Sequence, residues 1–140
     1  MPTLTRWFIK LGMVYLLIGM AIGGAMLLQP LMGWSSALQT LRPVYLHAIF
    51  IGWVTQLIMG VGYWMFPKYS KATPRGSERL GWAVFVLLNV GLLLRSISEP
   101  LALLQPQQRG WGILLALAAV CLFLAGWGFV LNSWQRIRER

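Results

Sequence analysis

The stretch Arg42-Pro43-Val44-Tyr45-Leu46-His47-Ala48-Ile49-Phe50-Ile51-Gly52-Trp53-Val54-Thr55-Gln56 continues apolar to Phe66-Pro67. About 24 residues of this kind, coiled as a helix, rise roughly 36 Å and cross the hydrocarbon of a bilayer. Pro43 suits a first helical turn, where an N–H has no partner to lose. Pro67 closes the run, because proline cannot extend the hydrogen-bond ladder. His47 lies about one turn inside and is the only histidine of the chain. An imidazole in hydrocarbon must find a partner or it costs free energy. The residues alone leave three roles open to it: a neutral ring bonded to a neighbouring helix, a metal ligand, or a proton relay.

Three further apolar runs flank this one, and little else is left. Hydrophobic residues make up 58% of the 140, and charged residues only 11%, against about 25% in soluble domains. The predicted fold is all-α, a single four-helix transmembrane domain over residues 1–140. Its helices span about 7–28, 43–66, 80–98 and 110–131. Gln29-Pro30 is expected to end the first, and Glu99-Pro100 the third, with Leu101 to Leu104 prolonging it past a kink or capping it. The run from Leu11 to Leu28 is too long for a signal-peptide core and no Ala-x-Ala site follows it, so it counts as a membrane helix. Cys121 stands alone inside the fourth run, which excludes an intrachain disulfide and leaves it as a small apolar packing group.

The net charge of +9 does not point to nucleic acid, because the basic residues sit between the apolar runs and at the ends. Arg6, Lys10, Lys68, Lys71, Arg75, Arg79, Arg136, Arg138 and Arg140 fall on one side of the membrane; Arg42, Arg95 and Arg109 fall on the other. The positive-inside bias then puts both termini in the cytoplasm and His47 near the outer surface. Trp7, Trp34, Tyr45, Trp64, Trp111 and Trp134 fall near helix ends, where interfacial aromatics anchor.

At about 100° per residue, Val54, Ile58, Val61 and Met65 line up below His47. Gly52, Gln56, Met59, Gly60 and Tyr63 take the opposite side, whose small residues let a neighbour approach. Gly12, Gly19 and Gly23, with Gly24 beside them, form a matching stripe on the first helix. Thr55, Gln56 and Asn89 lie near mid-membrane, where buried amides are expected to bond across helices.

The segments 41–47 and 52–67 resemble the second helix of haem-copper oxidase subunit I, nearest to the cbb3-type oxidase and nitric oxide reductase branch and its smaller relatives. Asn89-Val90-Gly91-Leu92-Leu93-Leu94-Arg95-Ser96-Ile97-Ser98-Glu99-Pro100 resembles the end of the third helix in those small relatives. The likeness covers about half of the chain. It implies that His47 is an axial ligand of a haem b and that the chain forms one arc of the subunit I fold. It also implies a multi-pass protein of the bacterial cytoplasmic membrane. Val54 and Ile58 would then offer a flat apolar face to the porphyrin. Arg42 and Arg95, at the same level as His47, would meet its propionates; Glu99, four residues after Arg95, is the competing partner.

The departures bear equally on function. The family's copper-binding histidines and its second haem ligand lie on later helices, and this chain has no second histidine. Reduction of oxygen or nitric oxide by the family mechanism is therefore not expected, and an enzymatic role stays open. A homodimer can supply two His47 rings to one haem, because a two-fold axis presents the same patch twice. A homotrimer needs one haem per chain, with one protein ligand each or with Met13 or Met20 as the second. The expected function is a haem b-binding cytochrome-like protein for electron transfer or diatomic gas binding, served by a quinone or a respiratory electron donor. The alternative is a cofactor-free structural or assembly subunit of a respiratory oxidase-type complex.

Overall fold

In a computed structural model, the described residues are 1–68, 75–134 and 136–137. They are 87% helix with no strand, and four helical spans are long and apolar enough to cross a membrane. α1 covers Thr3–Met32. The second span is a composite: a 3-10 turn over Ser36–Leu41, α2 over Arg42–His47, a π-helix over Ala48–Thr55 and α3 over Gln56–Met65. α4 covers Glu78–Leu104 and α5 covers Arg109–Trp134. Lys71, Arg138 and Arg140, counted above for orientation, lie outside the described residues.

Two proline signals misplace the helix ends. α1 runs through Pro30 to Met32, and α4 runs through Pro100 to Leu104. Both prolines sit near a C-terminus, and in lipid the neighbouring turns re-satisfy the group that a proline frees. What ends α1 is Gly33, left-handed at φ 65°, whose N–H caps the Gln29 carbonyl. A side chain at that φ would be strained, so glycine stops the helix there. Ser77 starts α4 by accepting from the Leu80 N–H, with Glu78 in the first turn, where the helix dipole favours an acid.

α1 packs along the second span, and α4 packs along α5. The first pairing is built on missing side chains. A Cβ at Gly52 would meet the Tyr15 ring at 2.5 Å, and one at Gly60 would meet the Phe8 Cβ at 2.6 Å. From the α1 side, a Cβ at Gly19 would strike Ile49 at 2.6 Å, and one at Gly23 would strike the Tyr45 ring at 2.9 Å. The aromatic ring of one helix thus lies directly on the backbone of the other, and close approach replaces the hydrophobic drive that lipid removes. Leu4, Phe8, Met59, Tyr63, Val84, Leu88 and Ala125 form the core at one end, with Phe8 edge-on to Phe85 at a centroid distance of 5.0 Å. Tyr15, Ala48 and Leu92 continue it toward the His47 end.

Arg136 fastens the far end. It is 2% exposed, and its guanidinium donates to the carbonyls of Tyr63, Phe66 and Pro67 at 3.1, 2.7 and 3.0 Å. These are the orphan carbonyls at the end of α3, and a cation there also meets the negative end of the helix dipole. Burial pulls the guanidinium below its ordinary pKa, opposed by the nearby Tyr63 hydroxyl and aided by Arg75. It stays cationic all the same.

Gly52→Val is expected to destabilise the bundle by about 1–3 kcal/mol through overpacking against Tyr15. Gly112, where a Cβ meets nothing within 4 Å, is the control: Gly112→Ala is expected to change stability by no more than about 0.5 kcal/mol. Thermal unfolding in detergent checks both.

Candidate functional site

His47 closes α2, and the π-helix begins at the next residue. The π stretch Ala48–Thr55 contains Gly52 and the β-branched Ile49, Ile51, Val54 and Thr55, which hold an α-helix weakly. Thr55 Oγ1 donates to the Phe50 carbonyl, five residues back, at 2.8 Å. Such widened turns gather at functional sites.

The ring of His47 is fixed on one side. Nδ1 lies 2.7 Å from the Pro43 carbonyl and 3.5 Å from Glu99 Oε2. A neutral imidazole carries one N–H, and the shorter contact takes it, so Nδ1–H donates to Pro43. Nε2 is then left with its lone pair. Glu99 is itself held: Arg95 Nη2 and Nε donate to its two oxygens at 3.1 and 3.3 Å, one helical turn apart on α4. His47 and Glu99 are half-buried, with side chains 22% and 17% exposed. The result is a single open nitrogen donor with a carbonyl and an anchored carboxylate behind it.

The residues expected to share this site are distributed as follows. Arg95 is brought to it, but through Glu99, which settles its partner within the chain. Arg42 is not: with Tyr45 and Ile49 it lines a cleft against α1, on the flank of the second span away from Glu99. Val54 is half-buried and Ile58 is 62% exposed. They extend the outward stripe of Leu46 and Phe50, which are 40% and 62% exposed. The π-helix between His47 and Ile58 departs from the 100° spacing on which the alignment of Val54 and Ile58 with His47 rests. Met13 and Met20 are exposed, at 56% and 63%. Gly12, Gly19 and Gly23 do face the second span, whereas a Cβ at Gly24 meets open space.

The mid-membrane amides do not bond across helices. Asn89 Nδ2 turns back to the Phe85 carbonyl at 2.8 Å. Gln56 is fully buried, and neither its amide nitrogen nor its oxygen has a partner among the described residues. Two features escaped the sequence pattern: the π-helix, because counting at a fixed 100° assumes it away, and the burial of Arg136, which reads as a solvated tail charge.

Among the described residues no three His, Cys, Asp or Glu side chains converge. A macrocycle-bound iron needs no such cluster, since the protein supplies only its axial ligands. For that role the donor chemistry of His47 fits: a metal-ligating histidine typically donates its other ring N–H to a carbonyl or carboxylate, which fixes tautomer and orientation. Comparison with known proteins finds no matching family model, no matching curated protein and no matching solved structure.

Glu99→Leu is expected to cost about 1–3 kcal/mol, because it strands a half-buried Arg95 cation. Arg95→Leu/Glu99→Leu together should cost less than the sum of the single changes, as measured by a double-mutant cycle on thermal unfolding.

Proposed function

We propose that this chain is a haem b-binding membrane protein of the cytochrome type, working as a homo-oligomer in electron transfer or diatomic gas binding. The observation that carries it is the Nδ1–H bond from His47 to Pro43. That bond spends the only proton of a neutral ring and leaves the Nε2 lone pair free to take a ligand. Iron accepts such a pair. The resemblance of the second span to haem-copper oxidase subunit I points the same way, as does the π-turn beside the ligand.

His47 would hold the iron through Nε2, and bound haem supplies one-electron transfer or an open coordination position. Pro43 keeps the ring in one tautomer. Glu99, anchored by Arg95, places negative charge behind the ring and strengthens the donor. The outward stripe of Leu46, Phe50, Val54 and Ile58 is an apolar face that a second copy can cover. A two-fold axis that brought the two Nε2 atoms together would let two His47 rings hold one haem; single ligation would leave a place for a gas. Both termini on the cytoplasmic side, with His47 toward the outer leaflet, complete the reading on charge bias.

Protein purified after haem supplementation is expected to be red, with a Soret band and a sharp α-band on reduction. His47→Ala should lose both bands and keep its helical content. Carbon monoxide distinguishes the ligation states: an unchanged reduced spectrum signals two histidines, and a shifted Soret band signals one. A colourless wild type overturns the proposal.

A further inference from the structure

Between α1 and the start of the second span lies a cleft of about 610 Å³, at the same end of the bundle as His47 but on the other flank. Met20, Met26, Leu27 and Ile49 make its walls apolar, and Arg42 and Gln39 stand at its polar end. Its volume is within the range that holds a small amphiphile. Gly24 lines it, and a Cβ there would meet nothing within 4 Å. The adjacent Gly23 is covered by the Tyr45 ring, and Gly19, one turn before it, by Ile49, so the helices touch along the Gly19–Gly23 face and the open space lies beside that contact, at Gly24.

Arg42 is exposed and has no acidic partner among the described residues. The chain has only three acids. Glu99 is taken by Arg95, Glu78 begins α4 at the opposite end of the bundle, and Glu139 lies outside the described residues. An unpaired guanidinium at the edge of the hydrocarbon, above an apolar slot, matches an anion attached to an acyl chain. We propose that this cleft binds an anionic phospholipid, with the phosphate on Arg42 and the first part of one acyl chain along Met20, Gly24 and Leu27. Arg–phosphate contacts are strong and bidentate, and basic pockets between membrane helices take lipid head groups. This site does not depend on the haem reading.

The test uses the full chain, delipidated in detergent and then exposed to vesicles of phosphatidylglycerol or of phosphatidylcholine with the same acyl chains. Retained lipid is read by native mass spectrometry, and stability by thermal unfolding. Wild type is expected to retain phosphatidylglycerol in preference to phosphatidylcholine and to melt at a higher temperature with it. Arg42→Gln removes the cation, and Gly24→Leu fills the slot at an open helical position without touching the charge. Each is expected to lower phosphatidylglycerol retention about tenfold, and Arg42→Gln should leave the haem spectrum unchanged. Equal retention by either variant and wild type overturns the proposal, as does equal retention of the two lipids. An identical stabilisation by inorganic phosphate alone would assign Arg42 to a free anion instead. Gly24→Leu breaking the oligomer with lipid retention unaltered would assign the cleft to a second copy.

Discussion

A neutral imidazole has two nitrogens and one proton, and in this bundle the Pro43 carbonyl claims the proton of His47 at 2.7 Å. Everything distinctive about the chain's chemistry follows from that division. The ring cannot rotate away without abandoning that bond. The second nitrogen, Nε2, is turned into a fixed base. Glu99 stands behind the ring and not in front of it, and Arg95 keeps it there. A lone histidine in a membrane helix is therefore organised as a donor site from three parts: a proline carbonyl one turn back, a carboxylate on α4, and the arginine that steadies it.

The rest of the bundle serves to hold the second span in one rotation and at one depth. Tyr15 on Gly52 and Phe8 on Gly60 lock it to α1, while Arg136 ties its far end through three backbone carbonyls. The π-helix Ala48–Thr55 contains the first of these fixed points, Gly52, and inserts residues into the turn. It lets the upper part of the span turn His47 toward α4, while the lower part turns Gln56, Met59 and Tyr63 into the core.

Much of this was legible in the sequence. Four apolar runs of sufficient length gave four spans, and the small-residue stripe Gly12, Gly19 and Gly23 gave the α1 pairing. Arg95 and Glu99, four apart, gave an ion pair as one of two options. Boundaries slipped at Pro30 and Pro100, since a proline near a C-terminus disrupts little when lipid forbids unwinding. The contact of Glu99 with His47 joins residues on different spans, and no local pattern carries it. The alignment of Val54 and Ile58 below His47 assumes a period of 3.6 across a segment that closes its bonds at i→i+5. Arg42 shared a depth with His47, but depth alone does not say which flank of a helix a side chain occupies.

The protonation of the His47 ring is the most direct measurement, and the chain's single histidine removes any ambiguity of assignment. Solid-state nitrogen NMR of histidine-labelled protein in bilayers, without haem and near neutral pH, should show Nδ1 carrying the proton and Nε2 as the unprotonated base. On haem addition the Nε2 signal should shift or broaden first. A ring protonated at Nε2, or an Nε2 signal indifferent to haem, contradicts the arrangement on which the site is built.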